Sequence, residues 1–175
     1  MGTIDQFREN FGEGQRVSLF TVTGNFPSGV VSGAGGGNLT ELMVKSAQFP
    51  ASTIGIIEVP YKGRKIKMPG DRVFAEWTAT VLVDKDHTLH EAFVGWMDQI
   101  NSHTDVESSG IASGLKADWV VSALAPDGGI NQEITLVQCW PSEVGTVDYA
   151  WETTDTLAEF TVTFQFDYWE SNATS

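Results

Sequence analysis

The sequence predicts a mainly β protein, an antiparallel β-barrel or sandwich with one packed α-helix at about residues 88–101. Three observations carry that expectation. Segments such as Glu76–Val83 and Leu157–Trp169 alternate apolar and polar side chains with a period of two. Between them, Leu89, Ala92, Phe93, Trp96, Met97 and Ile100 follow the spacing of one helical face. Prolines and glycines punctuate the chain at short intervals, as expected for many short strands joined by turns.

Taken in order, residues 1–15 are polar and read as an N-terminal arm or a short helix, with Phe7 and Phe11 four apart. Val17–Val22 reads as the first strand, rich in β-branched and aromatic residues. Residues 24–41 read as a glycine-rich loop, with six glycines between Gly24 and Asn38. Ordering so many glycines costs too much backbone entropy for a regular element. Leu42–Phe49 and Thr53–Val59 read as strands closed by Pro50 and Pro60. Tyr61–Arg72 reads as a hairpin, with Lys62-Gly63 at its tip and Pro69-Gly70-Asp71 as a closing turn. In Glu76–Val83, Trp77, Ala79, Val81 and Val83 share one face, and Thr78, Thr80 and Leu82 the other. Thr88-x-x-Glu91 supplies a capping box for the helix, which Asn101-Ser-His103 ends.

A polar loop follows the helix, and then Trp119–Ala125 and Glu133–Trp140 read as strands around a Pro126–Gly129 turn, the second ended by Pro141. Val147–Trp151 reads as a short strand and Leu157–Trp169 as a long final one. In the latter, Phe160, Val162, Phe164, Phe166 and Tyr168 face one way, and Thr161, Thr163, Gln165 and Asp167 the other. No repeat or linker divides the chain, so residues 1–175 are expected to form a single domain.

With 10 Lys+Arg against 23 Asp+Glu, the chain has a formal charge of −13. The excess lies in residues 73–175, which hold 17 acidic and 2 basic side chains; residues 1–72 hold 6 and 8. Gripping nucleic acid phosphates needs Lys and Arg, so this balance argues against it. Half of the basic residues sit in one stretch: Lys62, Arg64, Lys65, Lys67 and Arg72. A basic loop on an acidic protein reads either as a solvated hairpin or as a docking site for an acidic surface, including another copy of the chain. No apolar run is long enough to span a membrane, and no basic start followed by an apolar stretch signals export.

The search for chemistry returns little. His87, His90 and His103 match no zinc-ligand spacing. Asp84-x-Asp86-x-Thr88 lacks the sixth-position glycine and the twelfth-position acid of a calcium loop, and reads better as a helix cap. Gly33-Ala-Gly35-Gly36-Gly37 is followed by no lysine and is not a phosphate loop. Cys139, the single cysteine, reads as a buried structural thiol. The six tryptophans read as core and interface anchors. No catalytic residue, metal or cofactor is expected.

Several fragments stand out in order: Leu19-Phe20-x-Val22, Phe49-Pro50-Ala51, Arg64-Lys65-Ile66-Lys67-x-x-Gly70-Asp71-Arg72-x-Phe74-x-x-Trp77-Thr78, and the helix carrying Phe93 and Trp96. Glu133-Ile-x-Leu136, Trp140-Pro141-x-x-Val144-Gly145, Trp151 and Glu159-Phe160-x-Val162-x-Phe164-x-x-Asp167-Tyr168-Trp169-Glu170 follow them. Together they resemble the tail tube proteins of contractile-tailed, T4-like bacteriophages. The glycine-rich segment and the loop from Ser102 to Lys116 depart from that pattern.

The resemblance implies a structural, non-enzymatic subunit whose hexameric rings stack into a hollow tube that conducts DNA from capsid to host. Implied partners are other copies of the chain, the tail sheath, the baseplate or tube initiator, and the tail terminator. Genomic DNA would pass without specific binding, and no membrane insertion is implied. The implied location is the virion tail, assembled in the bacterial host cytoplasm. On this reading Lys62, Arg64, Lys65, Lys67, Asp71 and Arg72 are candidates for the subunit or ring-stacking interface. Thr161, Thr163, Gln165, Asp167, Thr78 and Thr80 are candidates for lining the lumen, where an acidic excess would repel DNA phosphates. The alternatives are the tube protein of a related contractile injection or type VI secretion system, a baseplate tube initiator, a monomeric carbohydrate-binding β-sandwich, and a hydrolase using two carboxylates.

Overall fold

The computed structural model describes residues 4–6, 14–27, 30, 43–102, 114–152 and 154–172. Most of the arm at 1–15, most of the glycine-rich loop at 24–41, much of the loop after the helix, and His103 lie outside the described residues. Among the described residues nine strands and one longer helix follow in the order β1 (Phe20–Gly24), β2 (Val44–Ala47), β3 (Ser52–Tyr61), β4 (Arg64–Phe74), β5 (Trp77–Leu82), α1 (Thr88–Ile100), β6 (Ala117–Leu124), β7 (Ile130–Val144), β8 (Glu159–Gln165) and β9 (Tyr168–Ser171). Seven strands share one sheet in the order β1-β6-β7-β8-β5-β2, with β9 also paired to β7, while β3 and β4 pair only with each other. Every pairing is antiparallel, as the alternating patterns require.

The inward faces of β1, β5, β6, β7, β8 and α1 meet in one core, dominated by Trp77, Phe93, Trp96, Trp119, Phe160 and Phe164. The Phe164 ring sits 4.8 Å from Trp119 and 5.2 Å from Trp77. The helix contributes Leu89, Ala92, Phe93 and Trp96, the predicted apolar face. Two buried indoles find acceptors: Trp77 Nε1 donates to the Gln48 carbonyl at 2.5 Å, and Trp96 Nε1 to the Leu115 carbonyl at 2.6 Å. Gly24, at the end of β1, lies directly opposite Trp119. A Cβ there would fall 2.4 Å from the indole, so no other residue fits without displacing the ring.

The structure corrects several sequence-based boundaries. The first strand starts at Phe20, leaving Val17 exposed. β3 continues through Pro60 to Tyr61. Lys62 and Gly63 both have positive φ (45° and 80°), as a two-residue hairpin turn requires. Counting outward from the bonded Tyr61–Arg64 pair, Pro60 and Pro69 both fall in non-hydrogen-bonded pairs, so neither missing N–H breaks the ladder. Pro69-Gly70-Asp71 is therefore not a turn. It continues β4, and the register shifts there opposite Gly55.

β7 likewise runs past Pro141. Pro141 pairs with Phe164, Ser142 is the extra residue of a bulge, and its hydroxyl donates to the Thr163 carbonyl at 3.1 Å. Gln138, at φ 59°, donates its N–H to Asp118 Oδ1 at 2.8 Å. Up to Cys139 β7 pairs with β6 and β9, and from Trp140 onward with β8. The long final strand is broken at Phe166-Asp167, because β8 pairs with the far half of β7 and β9 with the near half. Residues 147–151 form no strand, and Trp151 is exposed rather than an anchor of this chain's core.

The helix start is also revised. The Thr88-x-x-Glu91 capping box does not form; the N-cap is His87, in the left-handed region at φ 55° with no side-chain cap bond. Asp84 acts instead, its Oδ2 accepting the Thr88 N–H at 3.2 Å, which bears out the reading of that acid as a cap. Burial works against the Asp84 charge, but hydrogen bonds from the Thr88 side chain and amide outweigh it and hold its carboxyl below the usual carboxylate value.

Two stability predictions follow from these contacts. Gly24→Ala should lower the urea midpoint, at a cost of about 1–3 kcal/mol typical of overpacking; an unchanged midpoint would show that Trp119 does not press on β1. Asp84→Ala should cost about 0.5–2 kcal/mol at neutral pH. Because the folded-state pKa is depressed, that contribution is present above the ordinary carboxylate pKa and is lost as pH falls through the folded value. Denaturation of the two proteins across an acid series should show the gap closing.

Candidate assembly surfaces

β3 and β4 form a hairpin that packs on little of its own chain. All of β3 is exposed, as is β4 except Gly70 and the terminal Phe74. Directly opposed residues share a face, so the register sorts the side chains. Ile57 with Met68, Val59 with Ile66, and Tyr61 with Arg64 form one face; Glu58 with Lys67 and Pro60 with Lys65 form the other. The first face is apolar and each of its large hydrophobics is exposed. The second is charged, with Lys65 Nζ 2.6 Å from Glu58 Oε2. Lys62 Nζ lies 5.5 Å from the centroid of the Tyr61 ring at the tip.

The six sequence-predicted interface residues are therefore not one patch. Lys65 and Lys67 lie on the charged face, Arg64 edges the apolar one, and Lys62 sits in the turn. Asp71 belongs to the bulge and Arg72 pairs with Ile54 beyond it, at the base of the hairpin. The sequence reading took the basic residues as the signal and missed the apolar face. Val59, Tyr61, Ile66 and Met68 alternate in the sequence as a half-buried strand would, but nothing in the chain reveals that their cover is absent from their own subunit.

The lumen candidates divide more cleanly. Thr78 pairs with Thr163 and Thr80 with Thr161, so four threonines stand side by side on the outward face of β5 and β8. Thr78 and Thr163 hydroxyl oxygens are 3.5 Å apart. Gln165 continues this face and its Nε2 donates to Glu76 Oε2 at 3.4 Å. At the far end Lys45 of β2 pairs with Glu159. Asp167 does not join them: it lies in the break between β8 and β9, where Lys116 Nζ reaches its two oxygens at 3.0 and 3.2 Å.

Residues 15–172 match the sequence profile of the phage tail tube protein family. The tail tube protein gp19 of Enterobacteria phage T4 is 32% identical over 127 residues, covering 72% of this chain and 78% of that protein. The chain belongs to the phage tail tube proteins. The tail tube protein of Serratia phage KSP90 is 25% identical over 169 residues, covering 95% of each. In fold, the chain is similar to one from the sheath–tube complex of the PVC extracellular contractile injection system in its extended state, with a TM-score of 0.64 at 16% identity, covering 98% of this chain and 99% of that one. A chain of the anti-feeding prophage baseplate gives 0.62 at 10% identity, covering 87% and 91%.

Cys139 is fully buried, and burial, with Asp118 nearby, pushes its thiol up to about 12, so it is not a nucleophile. His90 packs edge-on to Phe160, with centroids 5.1 Å apart. Among the described residues no group of three or more His, Cys, Asp or Glu could hold a metal ion, and no helix is long and apolar enough to cross a membrane.

Proposed function

We propose that this tail tube protein is a non-enzymatic building block of a virion tail. Its hexameric rings, assembled in the host cytoplasm, stack into a hollow tube that carries DNA through without binding it. The observation that carries the reading is the β3–β4 hairpin. A two-stranded hairpin with both faces in water is marginal on its own. This one spreads Ile57, Val59, Tyr61, Ile66 and Met68 over one face, and an exposed apolar surface of that kind marks a contact with another molecule. Repetition of the chain supplies the contact. The sheath, the baseplate or initiator, and the terminator are the further partners, in keeping with the sheath–tube and baseplate assemblies that contain similar folds.

The outward β5–β8 face is the proposed lumen wall. Thr78, Thr80, Thr161 and Thr163 offer hydroxyls without positive charge, Glu76 and Glu143 add negative charge, and Lys45 is tied to Glu159. Phosphates passing such a wall find no Lys or Arg array that would release counterions and hold them. Asp167, paired with Lys116 off this face, is left out of the wall.

Electron microscopy of the purified chain, alone and with baseplates, tests the reading: rings or hollow tubes support it, and persistent monomers in both conditions overturn it. Arg64→Glu with Lys65→Glu should raise the concentration needed for stacking while leaving the urea midpoint unchanged. Tubes that assemble at the unaltered concentration would remove the hairpin from the interface.

The wall has its own test, helped by the buried and unreactive Cys139. In assembled tubes, Thr163→Cys should react with a small maleimide but not with one carried on a protein too wide for the lumen. Equal reaction with both would place the threonine face outside.

A further inference from the structure

The hairpin needs a receiving surface, and among the described residues four depressions are candidates. One, of about 500 Å3, opens between the sheet edges β1 and β2, but it is lined by Arg16 and Lys45 as well as Phe20 and Phe49. A second, of about 340 Å3, is lined by Ile100, Leu115 and Trp140 together with Lys116. Cations in these two linings oppose a hairpin that carries Lys62, Arg64, Lys65 and Lys67. A third, of about 490 Å3, lies on β1, β6 and β7 with a single acid, Glu133, among Thr21, Thr23 and Ser122, and presents no aromatic side chain. The fourth is a groove of about 210 Å3 in the segment joining β7 to β8, lined by Asp148, Tyr149, Ala150, Thr156, Leu157 and Ala158. Next to it Trp151 is fully exposed (102%), with Tyr149 and Leu157 at 69% and 70%. The same short segment carries Asp148, Glu152 and Asp155, all exposed. Apolar surface and charge are thus both complementary to the hairpin.

The topology sets where the two surfaces lie. The base of the hairpin is closed by Ala75 N–H donating to the Ala51 carbonyl at 3.2 Å, next to the start of β5 at Trp77. The β7–β8 segment adjoins the other end of β5, where Val83 N–H donates to the Ala158 carbonyl at 2.9 Å. Six residues of strand separate these ends by roughly 20 Å, while the ten residues of β3 can reach roughly 30 Å beyond the base. The arrangement suits a head-to-tail contact, in which one copy's projection meets the opposite end of the next.

We infer that the apolar face of the hairpin tip of one copy seats on the Tyr149–Trp151–Leu157 surface of a second copy, with Arg64 at the edge of that face and Lys62 in the turn directed at Asp148, Glu152 and Asp155. This rests on the tube reading and names the receiving surface for it. Tyr149 is held in place by its own chain, its hydroxyl 3.4 Å from His87 Nε2, so the groove has one defined wall before any partner arrives.

A charge-swap cycle tests the contact. Asp148→Lys with Asp155→Lys should raise the critical concentration for stacking about tenfold, as expected when several exposed ion pairs are replaced by repulsion. Lys62→Glu with Arg64→Glu should do the same, and the fourfold variant should return close to the unaltered value. Trp151→Ala, which changes no charge, should weaken stacking in both low and high salt. All five positions are exposed, and near-ultraviolet circular dichroism of each variant checks the fold. If the acid variants stack normally, or the fourfold variant is not rescued while the unaltered chain forms tubes, the surface serves another partner and the inference falls alone. If the unaltered chain forms neither rings nor tubes even with baseplates, the tube reading falls and takes the inference with it.

Discussion

The contact between Phe164 and Trp119 joins parts of the molecule that hydrogen bonds do not. Phe164 stands on β8 and Trp119 on β6, and the two strands are separated in the sheet by β7. Their rings meet at 4.8 Å, with Trp77 from β5 on one side and Phe93 and Trp96 from the helix on another. Aromatic rings of this size each bury a large area, and their tilted and edge-on pairings add to it. The kink of β7 at Gln138 becomes tolerable because this cluster fixes both of its halves. Gly24 has to be a glycine because the indole of Trp119 occupies the space a Cβ would take.

The hairpin obeys the opposite rule. Its turn and register are well specified, by Lys62-Gly63 and by two prolines placed where no ladder bond is lost. Yet its large side chains lie outside the core. An unpaired, apolar two-stranded ribbon invites indiscriminate pairing, and charged side chains on the edge are a common protection. Lys62, Arg64, Lys65 and Lys67 put such charge on this ribbon. In the proposed contact the charge that resists wrong contacts would also select an acidic partner surface, so solubility and specificity would come from the same residues.

How much of this was readable depended on whether the deciding contact lay near in sequence. The helix face from Leu89 to Trp96 and the alternation of Trp77, Ala79 and Val81 were readable, because burial in their own chain imposes period on the residues themselves. The pairing of Thr78 with Thr163 and Thr80 with Thr161 preserved a face that alternation had already marked on each strand. Strand ends at proline were misread. Whether Pro60, Pro69 or Pro141 ends a strand depends on its position in the ladder, which only the partner strand determines. The single strand expected from Leu157 to Trp169 failed for a related reason: unbroken alternation does not show that Phe164 and Trp169 pair with different halves of β7. The exposure of the hairpin's apolar face and of Trp151 was hidden because alternation and aromatic content mark a side chain as apolar without showing whether its own chain covers it.

A head-to-tail contact has a consequence for the ends of any assembly it builds. Symmetric pairing would consume both surfaces at once and stop. In the proposed contact each added copy would cover one hairpin and present another, so growth along the axis would have no internal limit. The two ends also differ in chemistry. One exposes a ribbon of Ile57, Val59, Ile66 and Met68 edged by cations, and the other a groove of Tyr149, Trp151 and Leu157 edged by carboxylates. On that contact, a protein that starts the tube and one that ends it would need different surfaces, one acidic with an apolar groove and one basic with an apolar projection. The polarity of such a tube would follow from the placement of these two segments at opposite ends of β5.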